Sequence, residues 1–136
     1  MAAKTGRHAA RRLLVQAFYQ KQISDHSVSE LASQFAERPE FAKADDEYFS
    51  LMLNIIADNT VQLDADIDIF GDIPPEQLDP VEHAVLWLAL AELRKMDSVP
   101  PKVIINEAIE LTKSYGAEGG YKFVNGLLDK AAAKLR

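Results

Sequence analysis

The sequence contains no cysteine, which removes disulfides, thiolate metal sites and a thiol nucleophile. Long apolar runs are missing too, and nothing approaches the ~20 residues needed to cross a bilayer. The first residues lack an apolar core followed by a small-residue cleavage site, so no export signal is expected and the expected compartment is the cytoplasm. Histidine is scarce: His8, His26 and His83 fall in separate predicted elements, and none has a second histidine at metal-ligand spacing. There is no Gly-x-Ser-x-Gly, no phosphate-binding glycine loop and no dinucleotide fingerprint. Asp64-Ala65-Asp66-Ile67-Asp68 opens like a calcium loop. The position that needs glycine holds Ile69, however, and the one that needs a bidentate glutamate holds Pro75. The carboxylates cluster at helix starts and on polar faces rather than in pairs. No enzyme, metal or cofactor is expected.

What is present is a chain of 136 residues, 48% apolar and 26% charged, a one-domain length with ordinary soluble composition. Residues 1–136 are therefore expected to form a single helical domain. The net charge of −6 is unevenly spread. From Met1 to Lys21 there are five basic residues and no acid; from Gln22 to Glu82 the balance is −13; from His83 to Arg136 it is +2. Such polarity fits a basic surface for one partner and an acidic surface for another, or simply solvated helix faces.

No stretch alternates over strand length, whereas several repeat every three to four residues, so the chain reads as all-α. The first helix is expected from Arg7 to Ile23, with Ala10, Leu13, Leu14, Ala17 and Phe18 inward. Ser27 to Glu30 is a capping box ahead of Leu31 and Phe35. Asp45 caps a long helix, or two nearly continuous ones, ending by Gly71. Asp79-Pro80-Val81-Glu82 carries cap, helix-start proline and a carboxylate three residues on. The segment Ala84 to Leu93, apolar except for Glu92, reads as the most buried helix. Pro100-Pro101 opens the penultimate helix, which ends near Gly116, a good C′ residue. The last helix buries Val124, Leu127, Leu128, Ala131 and Leu135.

Two faces are candidates for contact. His8, Arg12, Val15 and Tyr19 share one side of the first helix, although Tyr19 fits a ring packed under a neighbour equally well. In the last helix Phe123 flanks the buried stripe with Lys122, Lys130 and Lys134 on its side. An aromatic ring amid lysines suits single-stranded nucleic acid, the ring stacking on an unpaired base and the lysines neutralising phosphates. The same ring also fits as a core residue. Gly126 lies near this surface, where a missing side chain lets another backbone approach.

Ile105-Asn106-Glu107-Ala108-Ile109-Glu110-Leu111, followed by Lys122-Phe123-Val124-Asn125-Gly126-Leu127-Leu128-Asp129, closely resembles the NusB family of bacterial transcription antitermination factors. Val15-Gln16-Ala17-Phe18-Tyr19, Tyr48-Phe49, Val81-Glu82, Ala84-Val85-Leu86 and Glu92-Leu93 extend the likeness along nearly the whole chain. The resemblance implies an all-α fold of about seven helices in two packed sub-bundles. It implies pairing with a small-subunit ribosomal protein, NusE, on boxA-type single-stranded RNA, within an RNA polymerase antitermination complex acting notably in ribosomal RNA operons. Carried onto this chain, RNA would meet Lys4, Arg7, His8, Arg11, Arg12, Tyr121, Lys122, Phe123 and Lys130. The protein partner would meet Tyr19 and Glu82, and a homodimer through that same face is a further expectation.

Three positions depart from the family pattern. Gly119-Gly120 stands where a serine commonly caps the last helix, so a looser turn is expected. Trp87 replaces a usual arginine, which would alter partner contacts or favour self-association. His8 occupies a place that is often basic. A NusB-like domain also precedes some ribosomal RNA cytosine methyltransferases, so a fragment of such an enzyme is one alternative reading. With the sequence stopping just after the last helix, no catalytic domain is expected here. A protein–protein adaptor without RNA binding is the other alternative.

Overall fold

The computed structural model describes residues 2–136, with side chains from Gly6 onward. It forms α1 (Ala2–Ile23), α2 (Val28–Ala36), α3 (Asp46–Asp58), α4 (Thr60–Phe70), α5 (Pro80–Lys95), α6 (Pro101–Tyr115) and α7 (Gly120–Leu135), with 3-10 turns at Pro39–Lys43 and Pro75–Gln77. The seven helices make the fold all-α among the described residues. α1 packs with α2, α3 and the first 3-10 turn, while α4, α5, α6 and α7 pack together; the close contact of α1 with α5 joins the two groups. α5 also meets α3, and is the axis of the molecule.

Local sequence explains most boundaries. Ser27 and Glu30 satisfy each other's backbone amides in a complete capping box. Asp45 accepts from the Tyr48 amide at 3.0 Å and starts α3. α3 and α4 are two helices because Asn59 competes with the backbone: its side chain donates to the Ile55 carbonyl at 2.7 Å, while its own amide reaches back only to Ile56. Asp79 caps α5 through the Glu82 amide at 3.3 Å, but the expected return bond from the Glu82 side chain is replaced by another contact, described below. α1 starts five residues before the expected Arg7. Gly116 ends α6 in extended backbone rather than in the left-handed C′ conformation; the left-handed glycine is Gly119, at φ 82°.

The expected inward residues of α1 are all buried, as is Val15, which the sequence pattern had put on the outer face. In α5 even the polar Glu92 is enclosed. Its carboxylate accepts from Arg11 Nε at 2.9 Å and from the Tyr48 hydroxyl, and Arg11 also lies 3.6 Å from Glu107. One buried cluster thus ties α1, α3, α5 and α6 together. Burial works against the Arg11 charge, but Glu92, Tyr48 and Glu107 outweigh it and hold the guanidinium protonated. Burial also raises the Glu92 carboxyl above the usual range despite the pull of Arg11 and Tyr48, and lifts the Tyr48 hydroxyl above the usual phenol range. A second ion pair, Arg94 forked onto the buried Asp66 at 2.6 and 2.7 Å, fastens α4 to α5.

Removing one member of a buried pair leaves the other charged and unpaired. Arg11→Ala is therefore expected to lower stability by about 3–5 kcal/mol, whereas Arg12→Ala, one residue on and exposed, should shift it by less than about 0.5 kcal/mol. Urea denaturation monitored by circular dichroism compares them, and equal losses would contradict the assignment.

Candidate nucleic-acid interface

The structure divides the cationic and aromatic residues expected to meet RNA into separate groups. Lys4 lies outside the described side chains. Arg11 is corrected: at 6% exposure, and bonded to Glu92, it is a structural cation rather than a surface one. Arg7 lies over the Tyr48 ring at 4.4 Å, and Arg12 over the Tyr115 ring at 5.4 Å. His8 faces Glu107, Nδ1 to Oε1, at 2.9 Å. These three keep the outer part of α1 polar and cationic.

The second group is on α7. Lys122, Phe123, Gly126 and Lys130 line a depression of about 150 Å³ with Phe70, Gly71, Leu127 and one acid, Asp72. Phe123 is half-buried, and its ring tip rests against Gly71: a methyl there would stand 3.1 Å from Phe123 Cζ and 2.8 Å from Leu127 Cδ1. The ring is thus seated by the end of α4 while the lysines beside it remain exposed. Gly126 has open space where a side chain would be. Tyr121, two residues before Phe123, points to another side and takes Lys113 over its ring at 4.7 Å. Lys113 was not among the residues expected at the interface; its place in the last turn of α6, beside the start of α7, was the available signal.

Glu82, expected on a partner-facing surface, is only 7% exposed. Its carboxylate lies against Gly120 at the first turn of α7, so closely that a methyl on Gly120 would overlap it. No side chain caps α7, and a carboxylate beside that N-terminus meets its positive dipole end. Burial first, and Asp79 second, raise the Glu82 carboxyl above the usual range. The two glycines therefore have distinct steric reasons: Gly119 takes the left-handed backbone, and Gly120 makes room for Glu82. The turn expected to be loose is a close contact between α5 and α7.

Trp87, expected to alter partner contacts or favour self-association, is buried. Its indole donates to Asp64 Oδ1 at 2.8 Å, His83 Nε2 lies 2.7 Å from the same oxygen, and the ring meets Phe18 edge-on at 5.9 Å. Tyr19 is 42% exposed.

Seven helices in this order, built as two groups around α5, define a class of small all-α fold shared with solved NusB structures. The T. maritima NusB structure matches with a TM-score of 0.84 at 28% identity, over 94% of this chain and 91% of that one. A structure of NusB and NusE in complex with dsRNA matches with a TM-score of 0.84 at 24% identity, over 93% of this chain and 96% of that one, a likeness of fold alone. The NusB family profile matches residues 8–133. A transcription antitermination protein NusB of Shewanella amazonensis is 47% identical over 128 residues, covering 94% of this chain and 96% of the relative. One from Pseudomonas savastanoi is 44% identical over 130 residues, covering 96% of this chain and 79% of the relative. The chain belongs to the NusB family of transcription antitermination proteins, a non-enzymatic family.

The contact between Gly120 and Glu82 makes a coupled prediction. Because the atoms met are the end of a flexible side chain, Gly120→Ala should cost no more than about 1 kcal/mol, and Glu82→Ala in the same chain should remove that cost. A double-mutant cycle read by thermal unfolding measures the coupling. Additive effects would show that the two residues do not meet.

Proposed function

We propose that this protein binds boxA-type single-stranded RNA of a nascent transcript together with the ribosomal protein NusE, and that this complex restrains termination by RNA polymerase, notably in ribosomal RNA operons. Residues 1–136 act in this as one domain in the cytoplasm; no helix among the described residues is long and apolar enough to cross a membrane. The observation that carries the reading is the α7 depression, in which a half-buried aromatic ring is flanked by the exposed Lys122 and Lys130 in a chain whose net charge is −6. The ring supplies a stacking surface and the lysines phosphate contacts. Arg7, His8 and Arg12 supply a second cationic stretch along α1.

The protein partner fits the opposite electrostatics. On α4, Val61 and Ile69 are 85% and 70% exposed, with the exposed Ala65 midway at helical spacing. Asp68, next to Ile69 on α4, is exposed and without an ion pair among the described residues. An apolar ridge beside an acid suits a basic protein with apolar anchors, and it adds to the exposed Tyr19 as a partner surface, while Glu82 is turned inward. The relative solved with NusE holds dsRNA, so single and double strands belong in the same test.

Phe123→Leu keeps most of the packing against Gly71 and loses the aromatic face. RNA affinity should fall by about 1–3 kcal/mol while stability falls by less than about 1.5 kcal/mol. Anisotropy titrations of single- and double-stranded boxA-type RNA over a salt series read both the affinity and its salt slope. The logarithm of the affinity should decline linearly with the logarithm of salt; a flat dependence, or binding unchanged by Phe123→Leu, would count against RNA recognition at this face.

Gly126 gives an independent check. Nothing in the fold occupies the space over it, so Gly126→Ala should raise stability by about 1 kcal/mol. If RNA backbone approaches α7 there, the same substitution weakens RNA binding. A variant that is more stable with unchanged affinity would move the RNA off this face.

A further inference from the structure

The seam between α4 and α7 carries a second cavity, of about 290 Å³, at the opposite end from the Phe123 depression. It opens where the start of α4 and the end of α7 meet the last turn of α5. Leu63, Ala91 and Leu135 form apolar walls, and Asn59, Gln62, Arg94 and Lys95 supply the polar part. Both amides are oriented by their partners. Asn59 Nδ2 donates to the Ile55 carbonyl at 2.7 Å, and Gln62 Nε2 donates to Asp66 Oδ1 at 3.3 Å. Those partners can only accept, so the amide nitrogens are engaged and the Asn59 Oδ1 and Gln62 Oε1 oxygens have no donor among the described residues. Asp66 itself is buried and forked onto Arg94, so its charge is matched inside. Lys95 is exposed and in no ion pair among the described residues. Exposed acids stand close by in sequence, Asp58 before Asn59 and Asp129 before Lys130, but neither lines the cavity.

A row of cations leads to it. Lys130 and Lys134 follow Phe123 and Leu127 at helical spacing along α7, both exposed and in no ion pair among the described residues. At the rise of an α-helix, Phe123 and Leu135 stand about 18 Å apart along the axis, a span that a few nucleotides of single strand cover. We propose that the cavity seats one unpaired base of the same RNA strand, a few nucleotides beyond the one at Phe123. The Asn59 and Gln62 oxygens accept from the amino group of that base, and Lys95 and Lys134 take the neighbouring phosphates. Adenine, cytosine and guanine carry an exocyclic amino donor, whereas uracil offers one ring N–H between two carbonyls that these acceptors repel. An acidic protein segment has the same charge, but a carboxylate gives the two free oxygens nothing to bond. The inference rests on the RNA-binding reading above, and adds to it a second base-binding position with a base preference.

The test titrates the full chain, with and without its ribosomal-protein partner, against boxA-type RNA carrying a tail of adenosines or of uridines on its 5′ or its 3′ side. An adenosine tail on one of the two sides should tighten binding about tenfold over the untailed RNA, and a uridine tail on that side should do less. Gln62→Leu, at an exposed position, should abolish the advantage of adenosine over uridine. Lys95→Gln should reduce the salt slope on the tailed RNA by about 0.7 and leave the slope on the untailed RNA unchanged. Phe123→Leu should weaken tailed and untailed RNA alike. Circular dichroism establishes that each variant is folded, and the comparison of tails on the unaltered chain needs no variant. Untailed RNA that binds through Phe123 with no gain from any tail would overturn the cavity assignment alone, as would equal gains from adenosines and uridines. A Lys95→Gln protein that binds tailed RNA normally but loses affinity for the ribosomal-protein partner would overturn it and give the cavity to the protein. Absence of any RNA binding, tailed or untailed, would overturn both readings.

Discussion

The contact on which the rest of this structure depends is the buried one between Arg11 and Glu92, closed by the Tyr48 hydroxyl. It costs desolvation of two charges, an expense that only good geometry and extra hydrogen bonds can offset. Its use is positional. The pair fixes the rotation of α1 about its own axis against α5, because Arg11 must point at Glu92. Once that rotation is set, Leu14 and Phe18 turn into the core and Arg12 turns out over Tyr115. A cation that looked like part of an RNA surface thus holds the helix that presents the others.

The charge split of the sequence becomes, in the folded chain, two apolar surfaces with opposite rims. Asp68 stands beside the α4 ridge, whereas Arg12 and Arg38 stand beside Tyr115. Apolar area alone discriminates little between partners; the rim sets which partner approaches and which is repelled. The net charge of −6 is not all free on the surface, because some acids of the middle segment are bonded to neighbouring side chains. Asp66 is forked onto Arg94, and Asp64 is shared by His83 and Trp87. The acidic middle is therefore part scaffold and part surface: exposed acids such as Glu37, Asp46, Asp68 and Glu76 are in no ion pair among the described residues.

Helix content, caps and core were legible because they depend on near neighbours. Ser27 with Glu30, Asp45 with Tyr48, and the inward stripe of α1 all lie within a few residues of each other, where helical spacing fixes geometry. The family likeness was legible for a different reason, the order and spacing of two C-terminal motifs. What could not be read were contacts across long sequence separations. Arg11 and Glu92 are 81 residues apart; the family likeness put the first on the RNA surface, and composition marked the second as the odd polar residue of a buried helix. Glu82 had every local mark of a capping-box residue and was drawn away by Gly120 of another helix. Trp87 looked like a surface departure until Asp64, from α4, supplied its hydrogen bond.

The glycines of the α7 region show how one residue type can answer three different constraints. Gly119 is set by backbone: its φ of 82° lies in the region where other L-residues meet a steric penalty. Gly120 is set by a neighbour, the carboxylate that occupies the space of its missing side chain. Gly126 is set by neither, since its backbone is helical and nothing stands nearby. In a helix interior such a residue costs about 1 kcal/mol against alanine, with no compensation inside the chain. The open space over Gly126, on the exposed side of α7 between Lys122 and Lys130, is what the RNA-binding proposal would use.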